Sequence, residues 1–174
     1  MKNPKFILMA IPAFVFLFSA CTQSEDSVRE IMAYPLDDFK GVITRSNVEL
    51  DKSISADGGG SLKITADEPA KTVRLFETGD VDVEDARLIY SAMVRTEDVS
   101  GQVYLEMLCS FPGGGRYFSR GLDRPVTGTV EWKSLDTPFF LKKGQNPDKL
   151  SLNIVINGTG TVWIDDVKLA AGPL

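Results

Sequence analysis

Histidine is missing altogether from the 174 residues. Its absence removes every catalytic arrangement that relies on an imidazole base and every zinc site that needs a histidine ligand. Cysteine is nearly missing: the chain has only Cys21 and Cys109, so it can form one internal disulfide at most, and none if Cys21 is otherwise engaged. Cys109 falls in phase with Val103, Leu105 and Met107, which marks it as a small buried apolar side chain and not a nucleophile. Positive charge is short as well. The formal net charge is -5, and Lys2 and Lys5 belong to an N-terminal stretch that reads as removable, so the remainder is more acidic still. That balance argues against nucleic acid as a partner. Beyond Phe18 there is no long apolar run, no sustained helical period and no internal repeat.

What is present begins with an address. Lys2 and Lys5 precede an almost wholly apolar stretch from Phe6 to Phe18, and Ser19, Ala20 and Cys21 follow it. The apolar stretch is too short to cross a bilayer comfortably, and the layout is that of a cleaved signal peptide over residues 1–20. Leu17-Phe18-Ser19-Ala20-Cys21 resembles the bacterial lipobox, in which the cysteine is diacylated and becomes the new N-terminus. The resemblance implies a lipoprotein of the cell envelope that meets the membrane through Cys21. Thr22, standing where an aspartate would retain the protein at the inner membrane, implies the outer membrane by similarity to Gram-negative sorting. Residues 21–35 are polar and charged, and read as a flexible tether with room for a short helix around Ser27 to Ala33.

From Leu36 onward the alternation has period two and is broken by turn residues every eight to fifteen positions, which is roughly the rhythm of an all-β, two-sheet antiparallel sandwich over residues 36–174. Strands are expected around Val48 to Leu50, Ser61 to Thr65, Val73 to Leu75, Leu88 to Arg95, Gln102 to Ser110, Thr129 to Leu135, Thr137 to Leu141, Leu150 to Asn157 and Thr161 to Leu169. Thr96 to Gly101 reads as the turn between two of them. In the last strand a regular pleat puts Trp163, Asp165, Val167 and Leu169 on one face and Val162, Ile164 and Asp166 on the other. One carboxylate then lies among apolar neighbours, so a bulge, a cation or backbone donors must satisfy it. Trp132 and Trp163 lie in apolar strands and are assigned to the core ahead of a role as sugar platforms.

Four stretches carry a family resemblance. The run from Gly158 to Leu169, a glycine turn followed by Val162-Trp163-Ile164-Asp165-Asp166-Val167, is similar to the final strand of galactose-binding-like jelly rolls, which include several families of carbohydrate-binding modules. Asp57-Gly58-Gly59-Gly60-Ser61-Leu62-Lys63-Ile64 is similar to an early turn and strand of the same fold. Tyr90 to Gly101 resembles the central strand, and Glu131-Trp132-Lys133 resembles the strand that precedes Pro138 to Phe140. In many such jelly rolls a structural calcium ties the first strand and the Asp-Gly turn to the last strand, and calcium takes oxygen ligands. Carried over by resemblance, the calcium ligands are Asp38, Asp57 and Asp165.

The strand Val103 to Cys109 is the most informative for a ligand. Val103, Leu105, Met107 and Cys109 suit the core, which leaves Tyr104, Glu106 and Leu108 on the opposite face. An aromatic and a carboxylate together on a sheet face are what sugar binding uses. If the chain returns as a hairpin after Gly113 to Gly115, it brings Arg116, Tyr117 and Arg120 to that strand, and Asn153 projects from the polar side of Leu150 to Asn157. Paired carboxylates at glycosidase spacing are not evident, so the expected role is non-catalytic. Two functions stand open: carbohydrate recognition on this face, or a structural or protein-interaction role against another envelope protein. The lipobox generates the first prediction. Cys21→Ala should move the protein out of the detergent phase or leave it as unprocessed precursor, and unchanged partitioning would remove the lipid anchor.

Overall fold

A computed structural model describes residues 28–79 and 81–174. The expected signal peptide, Cys21 and the beginning of the tether lie outside the described residues. Among the described residues there are nine strands and no helix: β1 (Arg29–Tyr34), β2 (Val48–Asp51), β3 (Ser61–Ala66), β4 (Lys71–Thr78), β5 (Ala86–Ser110), β6 (Arg116–Arg120), β7 (Val126–Leu141), β8 (Lys149–Asn157) and β9 (Gly160–Gly172). All pairings are antiparallel.

One strand belongs to both layers. The beginning of β5 pairs with β7 on one side and β9 on the other, and its later stretch pairs with β8 and β6. The first sheet therefore runs β2-β3-β9-β5-β7, with β1 beside the far end of β9, and the second runs β4-β8-β5-β6. Between them lies one apolar cluster that includes Leu62 and Ile64, Leu88 and Val94, Val103, Leu105, Met107 and Cys109, Leu152 and Ile154, and Val162 and Ile164. The expected all-β sandwich is what the chain forms. Burying each Leu or Ile side chain of this set contributes about 1.5–3 kcal/mol. Burial also pushes the Cys109 thiol up to about 12, which leaves it inert at neutral pH.

Thr96 to Gly101 is not a turn. β5 passes through it without ending, although its register against β7 shifts between Val94 and Thr96, Thr96 and Val99, and Val99 and Val103. Here the strand bends from one sheet into the other, and its backbone meets the β8–β9 connection. A Cβ on Gly101 would lie 1.7 Å from the Asn157 carbonyl oxygen, and one on Gly158 would lie 2.6 Å from the Gly101 nitrogen. Only glycine permits that approach. A similar continuity holds for β7, a single strand where two were expected.

The tether also ends earlier than expected. Arg29 to Tyr34 form neither tether nor helix but a strand whose partners, Val167 to Ala171, lie at the other end of the sequence. The Tyr34 ring stacks on Phe76 of β4 with centroids 3.7 Å apart and planes 9° apart, so β1 pairs with one sheet and packs on the other.

In β9 the regular pleat fails at Asp166, which has φ 46°, and the register against β5 slips between Ser91 and Met93. The extra residue turns Val162, Ile164, Val167, Leu169 and Ala171 all into the core. Trp163 is consequently not a core residue between the sheets. It lies on the outer side, 3% exposed, beneath the cations of Lys63 and Arg95, 5.8 Å and 5.4 Å from the ring centroid. Its indole N–H donates to Asp51 Oδ2 at 2.9 Å. With Ser53 donating hydroxyl and amide to the same side chain, the Asp51 carboxyl is held well below the usual carboxylate range. Trp132 is half-buried and stands outside the core cluster as well.

Tyr90 is the largest side chain in the fully buried set, and its hydroxyl has no hydrogen-bond partner among the described residues. Burying an unsatisfied hydroxyl costs about 1–3 kcal/mol. Tyr90→Phe should therefore raise the melting temperature by about 2–4 °C per kcal/mol recovered, and a lower melting temperature measured by calorimetry would show that the hydroxyl is satisfied.

Candidate functional site

The outward face of the second sheet gathers the polar residues that the core does not take. Strand register places Arg74 of β4 opposite Asn153 of β8, Asn153 opposite Glu106 of β5, and Glu106 opposite Arg120 of β6. Four strands thus contribute one row. Glu106 Oε2 accepts from Arg120 Nε at 2.6 Å, and Glu106 Oε1 accepts from Asn153 Nδ2 at 3.0 Å. The hydrogen bond to Glu106 is the leading reason the Arg120 guanidinium is held above its ordinary range. Arg120 also lies 4.1 Å over the Phe118 ring, which fixes the charge from a second direction.

Because a carboxylate can only accept, Glu106 fixes which end of the Asn153 amide faces it. The amide oxygen must then point elsewhere. Asn153 is 5% exposed, and its Oδ1 has no partner among the described residues. A buried carbonyl oxygen without a donor is costly, and donors from outside the protein relieve it.

Along the same face a second group surrounds Glu77. Lys149 Nζ lies 2.6 Å from Glu77 Oε1, Arg74 Nη1 lies 4.0 Å from Oε2, and Ser151 Oγ donates to Oε2 at 3.3 Å. The Lys149 ammonium is the main reason the Glu77 carboxyl sits below its ordinary range. Arg116 and Ser110 complete the lining of a cavity of about 400 Å³. Sequence reasoning missed Arg74, Glu77, Lys149 and Ser151. The alternation Lys149, Ser151, Asn153 in a strand whose other positions are Leu150, Leu152 and Ile154 carried the signal for two of them.

Of the six residues expected to form the ligand face, Tyr104, Glu106, Arg116, Arg120 and Asn153 occupy it. The chain returns after Gly113 to Gly115 as a hairpin, closed by Phe111 N–H to Gly115 O at 2.8 Å. Tyr117 alternates away from Arg116 and Phe118, so it faces opposite to Glu106. It is 60% exposed and meets Phe111 edge-on at 5.9 Å. Together with Phe139 and Phe140 they line a separate groove of about 860 Å³. Tyr104 shows only 9% of its surface, so its ring packs within the face and is not an open platform.

The three carboxylates expected around calcium are not brought together. Asp57 and Asp165 share the Ser55 hydroxyl, at 2.8 Å and 3.2 Å, whereas Asp38 turns to the Lys40 amide at 2.7 Å. Among the described residues no group of three or more potential metal ligands is assembled. Protein donors make part of the expected ties, while Asp37 Oδ1, buried beside Gly59, has no partner among the described residues. Asp165, completely buried, accepts from the Ala56 amide at 2.7 Å and from the Asp166 amide at 2.8 Å; burial, with Asp57 adding to it, pushes its carboxyl up. The Lys52 ammonium donates to the Asp37 carbonyl and to the Gly59 carbonyl, the latter at 2.9 Å. A lysine therefore joins the segment after β1 to the Asp-Gly turn, where the resemblance placed a cation.

Neither a protein-family model nor a curated protein matches the sequence. Solved structures do. The CBM22-1 xylan-binding domain of Paenibacillus barcinonensis Xyn10C superposes with a TM-score of 0.62 at 13% identity, over 83% of this chain and 96% of that one. The CBM22-1-GH10 modules of Clostridium thermocellum Xyn10B, solved with xylohexaose, give 0.57 at 14% identity over 82% of this chain and 28% of that one. TmCBM61, solved with beta-1,4-galactotriose, gives 0.50 at 16% identity over 81% and 97%. The fold is that of the carbohydrate-binding-module jelly rolls, and at these identities the likeness is one of fold.

The Lys52 geometry generates a prediction. Calcium and a chelator should give the same melting temperature, while Lys52→Met should lower it by a few degrees, about 1 kcal/mol for exposed charge-to-carbonyl bonds. A rise in melting temperature on adding calcium to the parent protein would restore the metal.

Proposed function

We propose that the protein is a non-catalytic carbohydrate-binding lipoprotein, held to the outer membrane through acylated Cys21, that takes a glycan on the outward face of its second sheet. The observation that carries this reading is the unpartnered Asn153 Oδ1, fixed in the middle of a polar row by Glu106 and Arg120. A sugar presents hydroxyl donors, and one of them satisfies this oxygen once the side chains that cover it shift aside, with the amide still held by Glu106. Ser110, Ser151 and the flanking cations offer further hydrogen bonds, and the Phe118 ring beside Arg120 gives an exposed apolar surface. Solved neighbours of this fold carry xylohexaose and beta-1,4-galactotriose, which supports a saccharide ligand.

The carboxylates of this face do not suit catalysis. A glycosidase needs one carboxyl held protonated near neutral pH, whereas Glu77 is pushed the other way by Lys149 and Glu106 is engaged by Arg120 and Asn153. A protein-interaction role is the second reading, and the exposed aromatic side chains of Tyr117 and Phe140 in the separate groove favour it.

A glycan array probed with the full-length protein in non-ionic detergent tests the first reading. Asn153→Ala should weaken the glycan signal about tenfold, the equivalent of one good hydrogen bond, with calorimetry confirming that the variant folds. No glycan signal from the parent, together with a reproducible crosslinked protein partner, would transfer the function to the aromatic groove.

A further inference from the structure

The polar face has an excess of one charge. Its outward positions carry four cations, Arg74, Lys149, Arg116 and Arg120, against two carboxylates, Glu77 and Glu106. The whole chain is acidic, at -5, so this local excess runs against the overall balance. The two carboxylates are already engaged: Glu106 holds Arg120 and Asn153, and Glu77 holds Lys149, Arg74 and Ser151. Arg116 is left exposed with no ion pair or side-chain hydrogen bond among the described residues.

We propose that the glycan taken by this face is anionic, and that its carboxylate or sulfate ester is received by Arg116 with Arg74 and Lys149. The proposal rests on the face being a glycan site. Three cations around one carboxylate repel one another, and an incoming anion relieves that repulsion where a neutral sugar does not. Arg116 has a planar fork of N–H donors suited to two oxygens of one anionic group, and the Ser110 and Ser151 hydroxyls in the same cavity supply neutral donors beside it. The cavity of about 400 Å³ can take such a group together with a portion of its sugar ring.

Spacing links this subsite to the row above it. Lys149, Ser151 and Asn153 occupy alternate positions of β8, so each is about 7 Å from the next along the strand. The Asn153 oxygen that accepts a hydroxyl and the cations that accept an anion thus lie within the span of a short oligosaccharide. One chain can satisfy both. The acidity of the rest of the protein suppresses indiscriminate attraction to polyanions, so discrimination has to come from this face.

The test uses full-length protein in non-ionic detergent, with polygalacturonate and alginate as carboxylated chains, a sulfated galactan as the ester, and beta-1,4-galactan and xylan as neutral chains. Binding to a carboxylated or sulfated chain should be at least about tenfold tighter than to the neutral chains. It should also weaken as salt rises from about 0.05 M to about 0.5 M, where the screening length falls below about 10 Å. The arm that binds names the anion. Arg116→Gln, at an exposed position where folding is not at stake, should lose most of this preference, and Arg116→Lys should keep some of it. Equal or tighter binding of neutral chains, or a preference untouched in Arg116→Gln, overturns the anionic assignment and leaves the glycan site standing. Absence of binding to every chain overturns the glycan reading and this proposal with it.

Discussion

The contact on which the architecture depends is backbone against backbone, where Gly101 of β5 meets Asn157 and Gly158 at the end of β8. A strand 25 residues long can serve two sheets only if it bends between them, and the bend is possible only where no side chain intervenes. On one side of that point β5 holds β7 and β9. On the other it holds β8 and β6. Any side chain at Gly101 would separate the two layers at their shared element, and the apolar cluster between them would open with it.

Two polar regions follow from this division, and they solve different problems. Around the first sheet, several polar groups are answered from within: Asp51 takes the Trp163 indole, the Ala56 and Asp166 amides with Ser55 satisfy Asp165, and Lys52 joins two carbonyls. The Tyr90 hydroxyl, Asp37 Oδ1 and Arg87 Nε there have no partner among the described residues, but they stand apart from one another. On the second sheet the unanswered groups share one face. Asn153 keeps an oxygen without a donor and Arg116 keeps a charge without a partner among the described residues. A face left short of donors at one point and of negative charge at another is better matched to something that arrives than to the protein's own stability.

Much of this was legible in the residues. The alternation Val103, Leu105, Met107, Cys109 is strict, and it placed Tyr104 and Glu106 on the outward face without reference to any partner. Asn153 joined them because its strand obeys the same period, and Arg116 and Arg120 because a hairpin returns the chain beside Glu106. Tyr117 was misplaced because it was named together with its neighbour Arg116, and adjacent residues of one strand face opposite sides. β1 escaped because its partner lies more than a hundred residues away in β9, and local propensity carries no trace of so distant a strand. At Asp166 a period-two count cannot register an inserted residue, so Trp163 was assigned to the wrong side. Asp38 was named where its neighbour Asp37 approaches Gly59, since adjacent carboxylates are indistinguishable until the backbone is traced.

The pairing of β1 with the far end of β9 has a mechanical meaning. If Cys21 anchors the protein and the second sheet holds a polysaccharide, flow on that polysaccharide drags on the second sheet while the membrane holds the other end, and tension enters the described domain near Arg29. From there it crosses the ladder between Arg29–Tyr34 and Val167–Ala171 and reaches β5 through β9. Pulled along the strand, the rungs of that ladder share the load in shear; pulled across it, they open in succession from Arg29. The Tyr34 ring stacked on Phe76 stands at the last rung, where a tear in the ladder would have to break into the core to go further.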